Sequence, residues 1–353
     1  MQMKSVSPAF TACLIGFLLL SGCLDITTTS SVNRDGTIVR TIAFTGDSAE
    51  VYGGRFPVEL DSAWSKSVTK TKGKEICTLV ASRTFRNVGE MNEVLKGTFG
   101  RTLQFRFELD KSFEWFFTVY RYRETTIPFV QYSAIPMSEF LSRAEMDWLT
   151  EMFLQRDPKK PLPTRGDSLA FESIIPRAQE WEWRNRFEAV FNAFLDGVKT
   201  LNNPSLTPTM VGPLKDSLYM RSAKAIDKRK IDTLRIIFAG VLKNPLVEKA
   251  WQANVSGFDE IKRKIEFESK MNSHKYVTSV VMPGLIMGSN AREIEGNTAT
   301  WGDFMDIARY VEYTMSVESR QVNWWAVIIA CVLVVSLMTA LIISVLRRRS
   351  RAQ

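Results

Sequence analysis

Four cysteines and a single histidine, His274, set narrow limits on the chemistry open to this 353-residue chain. Metal ligation, thiol attack and acid–base work near neutral pH draw chiefly on those two residue types. His274 has no motif partner, and a lone histidine is expected to be structural. Ser67-Val68-Thr69-Lys70 has the S-x-x-K spacing in which a lysine activates a serine, but Lys70-Thr71-Lys72-Gly73 does not supply the K-T-G that such sites also use. Glu180 and Glu182 read as ordinary members of a polar helix face, and Arg165-Gly166-Asp167 as an accidental tripeptide. There is no phosphate-binding loop, no G-x-S-x-G elbow and no metal-spaced Cys/His cluster. No catalytic residue, metal or cofactor is therefore expected.

Chemistry of another kind is written at the N-terminal end. Lys4 precedes Ala9 to Leu20, twelve uncharged and mostly apolar residues. As a helix they would be about 18 Å long, too short for a hydrocarbon core of about 30 Å, so the stretch targets rather than spans. Leu20-Ser21-Gly22-Cys23 follows at once and resembles a bacterial lipobox. That resemblance implies cleavage before Cys23, lipid attachment to its thiol and acylation, with palmitate for example, of the new amino group. Several acyl chains hold a protein far more firmly than one.

The C-terminal end carries a second anchor. Trp324 to Leu346 is 23 residues without a charge, 13 of them Val, Ile or Leu. At about 1.5 Å per residue this is long enough to span. Trp324 and Trp325 stand where an aromatic belt belongs, and Arg347, Arg348, Arg349 and Arg351 mark the cytoplasmic side. Both ends then place the intervening ectodomain outside the cytoplasm. A spanning helix also argues against sorting to an outer membrane, so the bacterial inner (plasma) membrane is expected, with the ectodomain on its periplasmic or extracellular side.

The charge balance follows from this topology. Of a net +8, Lys4 and the four tail arginines account for five, leaving +3 for the rest and little reason to expect nucleic-acid binding. The cysteines sort the same way. Cys13 leaves with the leader, Cys23 is acylated and Cys331 lies in the terminal helix. Only Cys77 remains outside, so no disulfide can form within the ectodomain, and Cys77 is expected to pack in its core. Lys66, Lys70, Lys72 and Lys74, and Arg221, Lys224, Lys228, Arg229 and Lys230, are basic clusters that suit either a solvated face, with Asp216, Asp227 and Asp232 nearby, or an anionic surface. The aromatic run Phe113, Trp115, Phe116, Phe117, Tyr120 and Tyr122 suits either a core or an apolar ligand groove. Lys66, Lys70, Lys72, Lys74, Trp115 and Phe117 are thus the candidate ligand or membrane contacts.

The elements that must hold these residues show two periodicities. Residues 24–33 and Thr37 to Phe44 alternate around Arg34-Asp35-Gly36, a hairpin signal. Leu103, Phe105, Phe107 and Leu109 alternate with polar neighbours. After Asp110-Lys111-Ser112, Phe113 to Arg123 is apolar on both faces and reads as a central strand. Strand signals return from Tyr276 to Met282, around Gly296-Asn297 and from Val311 to Val317. Between them the period becomes helical. Glu139 to Leu154, Pro176 to Leu201, Leu214 to Leu242 and Leu246 to Met271 read as helices, with a Pro-rich break at 157–163 and another at Asn244-Pro245.

The fold class expected is α+β: a β-rich module formed by both ends of the ectodomain, a long helical insertion and one C-terminal transmembrane helix. The divisions are 1–22 as signal peptide, 23–137 and 272–322 as the two parts of the β-rich module, 138–271 as the insertion, 323–346 as transmembrane helix and 347–353 as basic tail. Residues 24–32 leave the membrane and residues 310–320 return to it, so those strands are expected to run antiparallel and to be neighbours in one sheet.

Met282-Pro283-Gly284, Ser289-Asn290-Ala291 and Gly296-Asn297-Thr298-Ala299-Thr300-Trp301, together with Val32-Asn33-Arg34-Asp35-Gly36 after the lipobox, are similar to bacterial lipoproteins of the LppM type. The likeness covers about 100 residues at the two β-rich ends. It implies an α/β envelope domain that binds lipids or glycolipids. Residues 138–271 depart from that pattern. The leading expectation is a non-enzymatic envelope lipoprotein whose ectodomain binds a lipid, glycolipid or protein partner at the membrane surface. The alternatives are an envelope hydrolase with a Ser/Lys or carboxylate site, and a structural membrane adaptor.

Overall fold

A computed structural model describes residues 24–53, 56–71, 75–98, 100–132, 134–155, 164–227, 231–302 and 304–350. The expected signal peptide, the expected lipobox residues Leu20, Ser21, Gly22 and Cys23, the lysines Lys72 and Lys74, the segment 157–163, and Lys228, Arg229 and Lys230 lie outside these residues.

The chain is α+β. Strands β1 (Asp25–Val32), β2 (Ile38–Asp47), β3 (Ser65–Lys70), β4 (Ile76–Phe85), β5 (Phe105–Glu114) and β6 (Phe117–Thr126) come first, with short helices α1 (Ser48–Tyr52) and α2 (Val88–Leu95) among them. Helices α3 (Arg143–Gln155), α4 (Arg165–Leu201), α5 (Pro208–Val211), α6 (Lys215–Asp227), α7 (Ile231–Leu242), α8 (Leu246–Ala253) and α9 (Val255–Ser273) follow. The chain then returns through β7 (Lys275–Val281), β8 (Leu285–Ser289), β9 (Glu293–Glu295), β10 (Thr298–Gly302), α10 (Met305–Ala308), β11 (Tyr313–Val322) and α11 (Trp324–Ser350).

Two sheets result, ordered β3-β4-β2-β1-β7-β10-β9 and β5-β6-β11-β8. They enclose one apolar core that includes Ile26, Ile42, Phe44, Phe85, Tyr122, Tyr276, Trp301 and Met315. Alternation along β1 and β2 turns Ile26, Thr28, Ser30 and Val32, and Ile38, Arg40, Ile42 and Phe44, inward. That inward set brings a charge with it. Arg40 reaches across to Glu124 on β6 through two bonds of 2.5 and 2.7 Å, with both side chains buried. Burial opposes the Arg40 charge, but Glu124 more than offsets this and moves the guanidinium pKa upward.

The helices form their own core around Phe187, Phe194, Leu218, Phe238, Val247 and Trp251. Gly197 lets α4 meet α8, since a methyl group there would stand 2.0 Å from Ala250 O. Three helix boundaries differ from the sequence pattern. Pro176 lies inside α4 rather than at its start, because Thr164 caps the helix by accepting from the Asp167 amide. Leu214 to Leu242 is two helices, α6 and α7. Leu246 to Met271 is also two, broken at Asn254, which leaves helical geometry and donates its side-chain amide to Ala193 O.

The expectation about β1 and β11 is overturned. β1 lies between β2 and parallel β7, whereas β11 lies in the other sheet between β6 and β8. The two strands also run the same way. At one end Tyr276, opposite Ile26, meets Phe304, which stacks on Tyr313 at the start of β11. At the other, the Tyr120 hydroxyl donates to Arg34 O just beyond β1, and Ser319 near the end of β11 donates to Pro283 O just beyond β7. The eight residues of β1, at about 3.3 Å each, carry Leu24 roughly 25 Å away from the end where α11 begins. Alternation alone assigns inward faces and says nothing of which sheet a strand joins.

Candidate membrane-contact site

The strand expected to begin at Phe113 does not begin there. Asp110, Lys111, Ser112 and Phe113 lie within β5, an edge strand whose outer face tolerates charge. The reversal comes later. Glu114 pairs with Phe117, so Trp115 and Phe116 are a two-residue turn. Such turns require positive φ, which Gly or Asn usually supplies; here Trp115 adopts φ 46°. The junction between β11 and α11 holds it there. Asn323 donates its side-chain amide to Trp115 O at 2.9 Å and its backbone amide to Phe116 O at 2.8 Å, while Thr118 Oγ1 donates to Asn323 Oδ1 at 2.9 Å.

This arrangement divides the aromatic run. Tyr120 and Tyr122 enter the core, and Val119, on the opposite face of β6, is buried as well. Phe113, Trp115, Phe116 and Phe117 remain 56, 75, 45 and 39% exposed, so Phe113 to Arg123 is not one strand buried on both faces. The exposed members meet the start of α11, where Phe113 stacks on Trp325 with ring centroids 5.9 Å apart and Trp324 is also exposed. Beyond them, Trp324–Ser344 has a mean hydropathy of 3.0 and almost none of it is buried, so this helix is long and apolar enough to cross a membrane.

Lys66 and Lys70 are not part of this cluster. They lie on β3, the edge strand of the seven-stranded sheet, on the same face as their partners Ala81 and Cys77. Lysines on that face of an edge strand oppose pairing with another chain. Ser67 and Lys70 are three residues apart on the same strand, so their side chains point to opposite faces and the S-x-x-K spacing assembles no nucleophile. Cys77 is fully buried, and Trp301 packs in the core with its indole N–H donating to Asn290 Oδ1.

His274 has a structural task at the far end. Its Nδ1 accepts from the Leu24 amide at 3.2 Å, and burial holds the ring pKa below the usual histidine value. Among the described residues, no group of three or more His, Cys, Asp or Glu is placed to hold a metal.

The densest set of ionisable groups escaped the sequence pattern. Glu182, assigned above to a polar helix face, is almost fully buried. It pairs with Arg186 one turn along α4 and with Arg309, and it accepts from the Tyr310 hydroxyl. Arg186 also meets Glu268 on α9 at 3.0 Å, and the Tyr132 hydroxyl donates to that carboxylate at 3.1 Å. Burial raises the pKa of Glu268 against the opposing pull of Arg186 and Lys264. Each carboxylate oxygen of this cluster has a partner, and the cluster ties the helices to the segment leading into β11. The i,i+4 spacing of Glu182 and Arg186 was the one signal of it in the sequence. Glu180 faces outward to Arg184 and accepts from Tyr219. An open groove passes beside the cluster, with Tyr132, Trp181 and Tyr310 among its lining.

No family model and no curated protein matches the chain. Among solved structures, the NMR structure of the Mycobacterium tuberculosis LppM folded domain is similar with a TM-score of 0.30 and 10% identity, over 87% of this chain and 95% of that one. A likeness this distant transfers nothing to the chain.

Proposed function

We propose that the protein is a bacterial envelope lipoprotein of the inner (plasma) membrane. In this reading α11 spans the bilayer, the arginine tail is cytoplasmic, and the ectodomain binds a lipid, glycolipid or protein partner without catalysing a reaction. The observation that carries the reading is α11 itself: 21 uncharged, mostly apolar residues that pack against almost nothing, continuous with the last strand of a well-packed domain. The groove beside Tyr132, Trp181 and Tyr310 is one concave surface available to a ligand.

Acylation of Cys23 would tether the opposite end of the sandwich. Leu24 is buried and lies roughly 25 Å from the hairpin loop near α11. The two anchors therefore share one bilayer when the strands lie along its surface. Two experiments test the reading. Cys23→Ser is expected to abolish lipid labelling while the protein stays in the membrane pellet after alkaline extraction, held by α11. Release of Cys23→Ser by alkali contradicts the spanning helix, and unlabelled wild type contradicts the lipobox. Crosslinking of the full chain in native membranes is expected to capture a lipid or protein partner, and capture of neither contradicts the binding role.

A further inference from the structure

The geometry points to a second membrane contact: the β5–β6 hairpin tip inserts its aromatic side chains into the interfacial zone of the bilayer that α11 crosses. This rests on α11 being in that bilayer. Three independent observations meet at the tip.

The first is exposure. Phe113, Trp115, Phe116 and Phe117 are all exposed, Phe113 and Phe117 on opposite faces of the hairpin with the two turn residues between them, and single exposed aromatics are common whereas four at one tip are not. Leu285, 65% exposed, adds to the same end of the fold, because it pairs with Arg320 near the end of β11. The second is backbone strain. A tight turn of this kind is made at little cost by Asn-Gly or Gly-Gly, yet this one places a tryptophan at positive φ with a phenylalanine beside it. Packing does not require the bulky residue, since Trp115 is the most exposed member of the group. The third is continuity with the anchor. Asn323 bonds both turn carbonyls, and Phe113 stacks on Trp325. The tip and the first turn of α11 are one rigid unit at one level.

Trp324 and Trp325 occupy the headgroup level if α11 spans, since an indole places an apolar body and a polar N–H where water meets hydrocarbon. A rigid neighbour held at that level by two hydrogen bonds enters the same layer. The occupant of this surface is therefore the lipid interface and not a protein groove. The tip and the helix together hold the domain at two points, which restricts its rotation about the helix axis.

The test uses the full chain in nanodiscs of phosphatidylcholine and phosphatidylglycerol, with acyl chains brominated near the headgroup as quenchers of tryptophan emission. The emission lost in Trp115→Phe reports Trp115, and that lost in Trp324→Phe with Trp325→Phe reports the helix. The Trp115 component is expected to be quenched as strongly as the helix component. Phe116→Trp provides a second variant that leaves Trp115 intact, and its added emission is expected to be quenched in the same way. A quenched helix component beside unquenched Trp115 and Phe116→Trp components overturns this inference and leaves the helix reading standing. Absence of quenching in all three overturns the helix reading and this inference with it.

Discussion

Replacing Glu124 by alanine tests whether the two sheets close over a single interior. Arg40 on β2 and Glu124 on β6 are the only acid–base pair among the described residues that joins the facing sheets with both side chains essentially out of water, at 1 and 0% exposure. Ser30 Oγ accepts a third bond from the guanidinium at 2.6 Å. Removing the carboxylate leaves a buried charge with no counter-ion, which costs about 3–5 kcal/mol. For a folded unit of this size, about 2–4 °C of melting temperature is lost per kcal/mol, so Glu124→Ala is expected to melt roughly 6–20 °C lower. Arg40→Met with Glu124→Leu removes both charges and replaces them with apolar volume, and is expected to recover most of that loss. Intrinsic tryptophan fluorescence of the full chain in detergent, followed on heating, reads both. A Glu124→Ala loss below about 1 kcal/mol, the range of a solvated pair, would refute the closed interior.

Three further outcomes follow from the same geometry. Gly197→Ala drives a methyl group against Ala250 O and is expected to cost about 1–3 kcal/mol by the same melting assay, whereas Gly240→Ala, where a methyl group meets nothing, is expected to be harmless. His274, whose folded pKa is depressed by burial, contributes stability that is present above about pH 6.5, its usual value, and is lost as pH falls through the lower folded value. His274→Asn keeps an acceptor for the Leu24 amide, cannot titrate, and is expected to flatten that part of the pH–stability curve. Cys23→Ser is expected to lose its lipid label while remaining resistant to alkaline extraction.

Periodicity made most elements legible. The β1–β2 hairpin follows from Asp35-Gly36 between alternating runs, and Gly36 has the positive φ such a turn needs. The α4 stripe, the Pro283-Gly284 turn and the Gly296 turn were equally visible. What was not legible depends on contacts distant in sequence. The tip at Trp115 and Phe116 carries no turn residue, because the bonds that hold it come from Asn323. Arg40 alternates in phase with Ile38, Ile42 and Phe44, but nothing local names Glu124, on the other sheet, as its partner. The sheet membership of β1 and β11 is not legible either, because two chain ends that meet one membrane surface need not be neighbours and side-chain alternation carries no information on strand direction.

In the proposed topology α11 crosses a membrane with its arginine end in the cytoplasm. Two fusions placed directly after Gln353 test it: a reporter that is active only in the cytoplasm and one that is active only outside it. The first is expected to be active and the second silent. Activity of the second with silence of the first would contradict the account.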